Sequence, residues 1–372
     1  MKLFKSLLVA PGTLGLLAPF SANATEVNFN AISNYSDEEI EIDINSFKPK
    51  SNQNLLLSGG EGLVDSQSHD GGFSETTTAS FSVDSVIGAI DGSTTSETTS
   101  LDFQFNIGLS TSFTGEDSLD IAIDSGNGTP STMSSDIMGF DSGTGLVVDG
   151  VTYSFPVGGA SMVVGDSTDL STAFTGACTY SAFTDLTPDD CGTGNSMGAG
   201  GKGVTAALGY AFDSGFSVAG GITSGNTEIL GDAADAFGLN AAYSADNYGV
   251  AVAYVTDDGG TGSDTTTWGL NGYYTFDLAS LSAGYETQET GGTDSSGYFV
   301  GLSFPEVGPG SVNVAAATTG LFADSATETL VYEASYSYSI NDGMTITPGV
   351  FIQEVDGGDD LTGVAVKTSF SF

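Results

Sequence analysis

Carboxylates are the commonest side chains in this sequence that could take part in chemistry. The chain has 47 Asp and Glu residues against six Lys and no Arg, and its formal net charge is −41 at pH 7. Acids are so frequent that a neighbouring pair says little about general acid–base catalysis. A charge of this size repels anionic surfaces, so we expect no nucleic-acid partner.

Nucleophilic hydrolysis has few candidate residues. A Ser or Cys nucleophile is usually activated by a neighbouring His. The only histidine is His69, which precedes every strand predicted below. Metal sites built from His and Cys lack ligands for the same reason. We therefore expect no enzymatic activity and no resident cofactor.

Two acidic stretches could bind Ca²⁺ weakly through oxygen ligands. Asp257 and Asp258 lie in one Gly-rich segment, and Asp356, Asp359 and Asp360 lie in another. The alternative interpretation is a solvated acidic loop, which requires no ligand.

The first 24 residues have the features of a secretory signal. Lys2 and Lys5 form a positive start, a short apolar segment follows, and Ala22-Asn23-Ala24 supplies a small-residue cleavage site. After Ala24 no apolar run approaches the roughly 20 residues that a membrane-spanning helix requires. If the exported chain enters a membrane, it must do so as strands.

Cys178 and Cys191 are the only two cysteines. An even number of cysteines in an exported chain favours a disulfide, because the compartment is oxidising. We therefore predict that these two residues are joined.

The segment 101–113, LDFQFNIGLSTSF, sets the pattern for the rest of the chain. Apolar residues such as Leu101, Phe103 and Phe105 alternate with polar residues such as Asp102. This period of two indicates a strand with one apolar and one polar face. Thirteen residues are long for a soluble sheet, but they suit a tilted strand that crosses a bilayer.

The pattern recurs to the last residue, and connections alternate between short turns and longer loops. This alternation is typical of an all-β, transmembrane antiparallel β-barrel of about 16 strands. The predicted strands are 76–90, 101–113, 117–125, 136–148, 151–165, 202–212, 215–223, 234–244, 247–256, 265–276, 278–287, 295–304, 311–319, 329–340, 343–353 and 361–372. The alternation is weakest in 136–148, and the alternative for 151–165 is two strands. Residues 25–72 lack the pattern and are predicted to be a periplasmic lead-in to a barrel of residues 73–372.

One face of several predicted strands carries aromatic residues near both ends. In 265–276 this face has Trp268 at one end and Tyr274 and Phe276 at the other, with Leu270 between them. Aromatic residues at both ends of an apolar face suit the two membrane–water interfaces. The strands of a soluble β-sandwich would also alternate between apolar and polar residues. A sandwich, however, has no reason to alternate short turns with long loops along the chain.

The last predicted strand ends on an aromatic residue. Val364, Val366, Thr368, Phe370 and Phe372 alternate on one face up to the C-terminus. Barrels that are assembled into the outer membrane commonly end in this way. Phe370 and Phe372 are therefore predicted to form the signal read by the barrel assembly machinery.

Four stretches of sequence point to a known family: GFSETTTASFSVDSVIGAIDG (72–92), SFTGEDSLDIAID (112–124), NDGMTITPGVF (341–351) and GVAVKTSFSF (363–372). They resemble the cyanobacterial Som-type outer-membrane porins, which belong to the carbohydrate-selective (OprB-type) group often described as iron-uptake porins. The resemblance covers roughly 72–372. It implies a passive channel in outer-membrane lipid, assembled as a homotrimer. The S-layer-homology segment of full-length relatives has no counterpart in 25–72, so peptidoglycan tethering is not carried over.

The resemblance also implies a role for the segment 166–201, which contains both cysteines. In sixteen-stranded porins the corresponding loop folds into the lumen and forms the constriction. The acids that it would place there are Asp166, Asp169, Asp185, Asp189 and Asp190. The alternative is a surface loop held by the disulfide.

Inward-facing positions of the predicted strands carry more acids than bases. The residues predicted to line the pore are Asp102, Asp120, Asp124, Asp235, Glu333 and Lys367. Rings of carboxylates favour cations, although salt screens them within about 8–10 Å. The sequence therefore predicts a cation-preferring diffusion channel for ions and small hydrophilic solutes. The alternatives are a more specific carbohydrate or iron channel, and a structural surface protein with a closed barrel.

Overall fold

The computed structural model describes residues 77–92, 95–127, 133, 137–140, 143–198, 201–225, 234–260 and 262–372. The predicted signal peptide, the predicted lead-in and His69 lie outside these residues. Within the described part of the chain, no helix has both the length and the apolar character needed to cross a membrane.

Seventeen strands form one continuous antiparallel sheet, and one of them, β14, is two residues long. The strands are β1 (Thr77–Gly92), β2 (Thr95–Thr111), β3 (Ser118–Gly126), β4 (Val147–Val157), β5 (Ala160–Thr168), β6 (Gly203–Ala211), β7 (Phe216–Ser224), β8 (Asp235–Ser244), β9 (Tyr248–Asp257), β10 (Thr265–Thr275), β11 (Ser280–Thr290), β12 (Thr293–Val307), β13 (Gly310–Thr318), β14 (Phe322–Ala323), β15 (Leu330–Asn341), β16 (Met344–Gln353) and β17 (Leu361–Ser371). Short helical turns lie at Leu170–Thr172, Asp189–Gly192 and Gly194–Met197.

The sheet closes on itself because β1 pairs with both β2 and β17. Val83 of β1 lies opposite Phe105 of β2 on one side and opposite Phe370 of β17 on the other. The remaining long strands pair with their neighbours in the chain, and β14 pairs beside β12. The result is a closed antiparallel barrel of sixteen strands, in which each long strand has two partners. The predicted fold class is confirmed.

Connections at the two ends of the barrel differ in length. Those at one end, which we call the turn end, are 112–117, 158–159, 212–215, 245–247, 276–279, 308–309 and 342–343. Those at the other, the loop end, include 127–146, 169–202, 225–234, 258–264, 319–329 and 354–360. Two hairpins at the loop end are tighter than predicted, because Gly92 pairs with Thr95 and Thr290 with Thr293.

The strand prediction fails at one place. In the described residues of the predicted strand 136–148, extended structure begins only at Val147, the first residue of β4. The predicted strand 151–165 is instead a hairpin of β4 and β5 that turns at Gly158, whose φ of 64° favours glycine. One strand was therefore predicted in excess and another was missed, which is why the total of sixteen is still correct.

A single carboxylate organises the turn between β2 and β3. Asp117 Oδ1 accepts hydrogen bonds from the Ser112 hydroxyl at 2.8 Å and from the backbone N–H groups of Phe113 and Thr114 at 2.9 and 2.8 Å. Its Oδ2 accepts a hydrogen bond from the Tyr153 hydroxyl at 2.7 Å. The pKa of Asp117 lies well below its usual range, mainly because of the hydrogen bond from Tyr153. The turn is thus built around an ionised carboxylate.

Side chains alternate between the outside of the barrel and its lumen, as the pattern in 101–113 predicts. In β2, Leu101 and Phe103 are 68% and 44% exposed on the outside, whereas the intervening Asp102 is 3% exposed and faces inward. Outward aromatic rings gather near both ends of the wall. Tyr254 packs on Trp268 near the loop end, and other ring pairs of this kind lie near the turn end. This surface suits a bilayer with aromatic residues at both interfaces.

Candidate functional site: a loop folded into the barrel lumen

The segment 169–202 connects the loop end of β5 to β6, and its described residues 169–198 pack inside the barrel. The segment, which we call the lumen loop, begins at Asp169, whose Oδ1 accepts the backbone N–H of Ser171 at 2.8 Å and caps the first turn. Leu170 and Phe174 then pack against the inner wall, where β7 and β8 carry Gly221 and Gly238. The absence of Cβ atoms at these two glycines lets the loop approach the wall closely.

Three polar side chains of the wall hold the outgoing limb of the lumen loop. Asn240 Oδ1 accepts the backbone N–H of Thr175, and Asn271 Oδ1 accepts that of Ala177, both at 2.8 Å. Ser282 accepts the backbone N–H of Thr179 at 3.1 Å. Every second loop residue thus donates to a wall strand farther round the barrel. These bonds satisfy backbone groups that would otherwise be buried without partners.

The tip of the lumen loop is fixed by Glu333 of β15. Its two carboxylate oxygens accept the backbone N–H groups of Phe183 and Thr184 at 2.8 and 2.9 Å. They also accept the hydroxyls of Thr184 and Tyr180 at 2.7 and 2.9 Å. Burial raises the pKa of Tyr180, and the nearby negative charge of Glu333 raises it further, so this phenol stays a donor. Glu333 is 4% exposed and acts as an anchor for the loop.

Glu286 of β11 holds the returning limb in the same way. It accepts the backbone N–H of Ser196 and the side-chain amide of Asn195, both at 2.7 Å. The returning limb also lies against Gly284, where an added Cβ would collide with the carbonyl oxygen of Cys191. Small residues on this part of the wall therefore make room for the loop.

The two limbs of the lumen loop are joined covalently by a disulfide between Cys178 and Cys191. Their Cα atoms are 5.7 Å apart, an ordinary separation for a disulfide. Asp190, Cys191 and Gly192 have φ angles of 50°, 55° and 82° in succession, a left-handed run that is unusual for the two non-glycine residues. The predicted disulfide is present, and it joins two segments that both pack on the inner wall.

A second segment, 127–146, contributes described residues to the same interior. Met133 and Ile137 are buried among Val86, Ile90 and Phe351 of the wall. The backbone N–H of Asp185 in the lumen loop donates to the carbonyl oxygen of Ile137 at 2.7 Å. The lumen is therefore narrowed by two loops that touch each other.

The lumen loop packs on the inner wall from β6 to β16, and space remains along parts of β1 to β5. A cavity of about 430 Å³ lies there, and an adjoining one has about 320 Å³. Asp120 and Asp149 line the larger cavity from the wall side, and Asp169 lines it from the loop side. Asp149 occupies an extra position between Val148 and Gly150, a β-bulge that alters the alternation locally.

Lys202 is the basic residue of this cavity, and it is paired. Its ammonium group lies 2.8 Å from Asp149 Oδ1 and 2.9 Å from Oδ2, in an exposed ion pair that joins the end of the lumen loop to β4. Asp120 and Asp169 line the same cavity, and its described lining holds no second basic residue to pair with them. Water in the larger cavity therefore meets a surface with an excess of negative charge.

The structure places the predicted pore-lining residues in different settings. Asp120 and Asp124 line the two open cavities, and Lys367 lines a separate one described below. Asp102 faces inward but is buried, with Asn127 donating to its Oδ1 at 2.9 Å. Glu333 likewise faces inward as a buried anchor.

Asp235 requires a correction. In β8 the inward positions include Asn240, and the outward positions include Phe237 and Leu239. Asp235 is the first residue of the strand. It alternates with the outward residues Phe237 and Leu239 and therefore belongs to the outward face, so it does not line the lumen. It is 2% exposed and its Oδ1 has no hydrogen-bond partner within the described residues.

The predicted constriction acids also differ from one another. Asp166 belongs to β5, which extends to Thr168, so it is a strand residue and not part of the lumen loop. Asp185 and Asp189 are exposed and line a cavity of about 330 Å³ between the loop tip, β11 and β12. Asp190 keeps exposed surface, but the surrounding protein raises its pKa by desolvation, and repulsion from other acids adds to the effect.

The acidic outer loops show no metal site in the described residues. There, no three His, Cys, Asp or Glu side chains form a group that would hold a metal ion. Asp257 and Asp258 use carboxylate oxygens to accept backbone N–H groups of Gly259 and Gly260, at 2.7 and 3.1 Å. The side chains of Asp257 and Asp258 thus stabilise the turn that follows β9.

The prediction from sequence missed the residues that hold the lumen loop. They are Asn240, Asn271, Ser282 and Glu286, together with the paired Asp149 and Lys202. Asn240 and Asn271 are 5% and 2% exposed, and each is an amide on the inward face of its strand with a glycine two positions before it. An isolated amide or acid among inward Gly and Ala residues is the signal that would have indicated a buried partner.

Comparison with known proteins decides the family. The sequence matches the Gram-negative porin family over residues 50–360. The chain belongs to this family. No curated protein matches the sequence.

Solved porin structures share the fold at low sequence identity. OprB of Pseudomonas putida has a TM-score of 0.66 and 12% identity, over 80% of this chain and 94% of that protein. An anion-selective porin from Comamonas acidovorans has a TM-score of 0.58 and 14% identity, over 80% and 99%. A loop-deletion mutant of OmpT from Vibrio cholerae has a TM-score of 0.57 and 11% identity, over 80% and 100%. At these identities the likeness concerns the fold alone.

Family membership, together with a closed barrel that has open cavities along its inner wall, identifies this porin as an outer-membrane diffusion channel. The predicted function is confirmed at this level. Its outward apolar surface faces lipid, and its lumen is the path for solutes. What the lumen selects depends on the residues described above.

Proposed function

We propose that this porin is a cation-preferring channel for ions and small hydrophilic solutes, and that the lumen loop forms its constriction. The observation that carries the proposal is the lining of the larger cavity. Acids stand on both of its sides, at Asp120 on the wall and Asp169 on the loop, and its one Lys is already paired with Asp149. A permeating ion would pass between carboxylates, which favour cations.

Exposed acids of the loop support the same preference. Asp185, Asp189 and Asp190 are exposed on the loop-end side of the lumen, and no Arg exists in the chain to oppose them. Because salt screens charges within about 8–10 Å, the effect is a preference that weakens as salt rises.

The test is the reversal potential in a KCl gradient across a planar bilayer. The double variant Asp120→Asn/Asp169→Asn should reduce the preference for potassium, and Asn at position 169 can still cap the first loop turn. Lys202→Gln should increase the preference, because it leaves Asp149 unpaired. The matched control is Asp257→Asn/Asp258→Asn in an outer loop. Equal shifts in the lumen and outer-loop variants would contradict the proposal.

The finer assignments also belong to this proposal. Removal of residues 1–24 on export, a homotrimer, and membership of the cyanobacterial Som-type branch rest on the sequence features and the resemblance. Mass spectrometry of the mature protein tests the first, and migration of the unheated protein in detergent gels tests the second. Block of the current by a single sugar or iron complex would instead favour the more specific uptake channel.

A further inference from the structure

A separate small cavity lies beneath the tip of the lumen loop. Its volume is about 170 Å³, and residues 181–183 of the loop form one side of it. Its wall residues come from β13, β15, β16 and β17; they are Asn313, Ser335, Ser337, Thr347, Lys367 and Ser369. Thr347 is three residues from the turn-end start of β16, and Lys367 is four from the turn-end limit of β17. The cavity thus lies on the turn-end side of the constriction.

Besides Ala182 and Phe183, the described residues that line this cavity carry hydroxyl, amide and ammonium groups and no carboxylate. This is unusual in a chain with 47 acids. Asn313, Ser335 and Thr347 are each less than a tenth exposed. Ser337 and Thr347 hydrogen-bond to each other at 3.0 Å, so one hydroxyl proton of this pair remains for another acceptor. The site is therefore rich in donors.

Lys367 carries the only charge in the lining. Among the described residues no carboxylate lies within ion-pair distance of its ammonium group. Two acids accept hydrogen bonds from residues of the lining. Glu333 binds the tip of the loop, and Asp84 accepts the Ser369 hydroxyl.

We propose that this cavity binds a small oxyanion. A cation partly removed from bulk water is stabilised by an opposite charge, and an oxyanion can accept hydrogen bonds from Lys367, Asn313 and Ser335 together. The volume exceeds that of a single water site by about tenfold, so it accommodates a small ion with some hydration. A neutral polyol would leave the ammonium charge uncompensated.

The bound anion has a consequence for selectivity that rests on the proposed cation preference. The positive charge of Lys367 offsets part of the negative charge of the acids in the lumen. An anion bound to Lys367 would neutralise that positive charge. Phosphate should therefore increase the preference for potassium in this porin, although phosphate is not itself the preferred ion.

The first experiment measures binding without conduction. Inorganic phosphate is titrated calorimetrically into the folded protein in detergent at constant ionic strength. The wild type should bind phosphate, and Lys367→Gln should weaken binding by about tenfold or more. Lys367→Arg should restore most of it, Ser335→Ala should weaken it by a smaller factor, and Lys202→Gln should leave it unchanged. Heat-modifiable migration verifies that each variant folds.

The second experiment measures reversal potentials as phosphate replaces chloride at constant ionic strength. Both proteins should shift toward potassium because phosphate permeates less readily than chloride, and the wild type should shift by more than Lys367→Gln does. The inference is overturned if the wild type binds no phosphate, or if Lys367→Gln binds it as well as the wild type does. A wild type that binds phosphate but shows no cation preference would contradict the proposed function and leave this site in place.

Discussion

Glu333 and Thr184 are 149 positions apart in the sequence and meet inside the barrel, where both the backbone N–H and the hydroxyl of Thr184 donate to Glu333 Oε2, at 2.9 and 2.7 Å. The contact joins a strand near the end of the chain to a loop from its middle. Because a wall residue holds the loop tip, the width of the lumen depends on side chains that a permeating ion never touches.

Loss of this anchor should loosen the constriction. Glu333→Gln keeps one carbonyl acceptor but replaces the other oxygen with a donor facing the N–H groups of the loop. We expect a loss of about 1–3 kcal/mol from the unpaired buried groups, together with larger and noisier single-channel conductance. Bilayer recording checks this, with Glu306→Gln on the exposed end of β12 as control. Unchanged conductance in Glu333→Gln would show that the loop is held by other contacts.

The two faces of β2 should respond oppositely to the same charge. Phe105→Asp places a carboxylate on the lipid side of the barrel. Near the middle of a bilayer an exposed Arg or Lys costs about 2–4 kcal/mol and an Asp somewhat less, so this variant should assemble poorly. Asn106→Asp, one residue away in the lumen, should assemble normally. Heat-modifiable folding of both variants to the same extent would mean that the faces are assigned wrongly.

The disulfide should be intact in the isolated protein and should limit motion of the lumen loop. Mass spectrometry without reductant should show Cys178 joined to Cys191, with no thiol available for alkylation. The double variant Cys178→Ser/Cys191→Ser should lose up to about 3 kcal/mol of stability, the size expected for a short closed loop. Recovery of free, alkylatable thiols from protein prepared without reductant would refute the bond.

Asp190 should give the channel a dependence on pH. Burial, and then repulsion from Asp189, Asp169 and Glu286, raise its pKa above the ordinary value for Asp. Ionised Asp190 therefore opposes folding above its raised pKa, and this cost disappears as the pH falls through that value. Cation preference should decline over the same range, because a lumen charge is lost.

The matched variants for this prediction are Asp190→Asn and Asp189→Asn. Asp190→Asn should remove the part of the decline in cation preference that occurs at the upper end of the acidic range. It should also slightly stabilise the protein at neutral pH. Asp189→Asn should keep the decline of cation preference but move it to lower pH, because it removes one of the repulsions that raise the pKa of Asp190. Titrating the reversal potential against pH distinguishes them, and an unchanged profile in Asp190→Asn would assign the decline to another acid.

Alternation along single strands was sufficient to predict most of the barrel. Segment 101–113 has an unbroken period of two, and the structure gives it the predicted faces. The prediction failed in 136–165, where Gly and Ser residues weaken the alternation and a two-residue turn at Gly158-Gly159 looks like the interior of a strand. Period-two reasoning does not detect a tight turn between two strands that have similar patterns.

The lumen loop could be located from the sequence, but its contacts could not. The spacing of Cys178 and Cys191 indicated a constrained segment, whereas the partners of Asn240 and Glu286 are set by which strands face each other across a closed barrel. Asp235 shows a related limit at a strand end: it has the parity of the outward residues Phe237 and Leu239, although an acid is expected on the lumen side.

Apart from the pair of Lys202 and Asp149, the contacts described here that hold the lumen loop are hydrogen bonds, packing contacts and the disulfide. Glu286 and Glu333 hold it by accepting N–H and O–H groups, without a basic partner. Dissolved salt weakens attraction between exposed charges but has little effect on short hydrogen bonds buried in protein. The bore of the channel should therefore stay constant between dilute and saline water while its discrimination between ions fades, so that uncharged solutes permeate equally well in both.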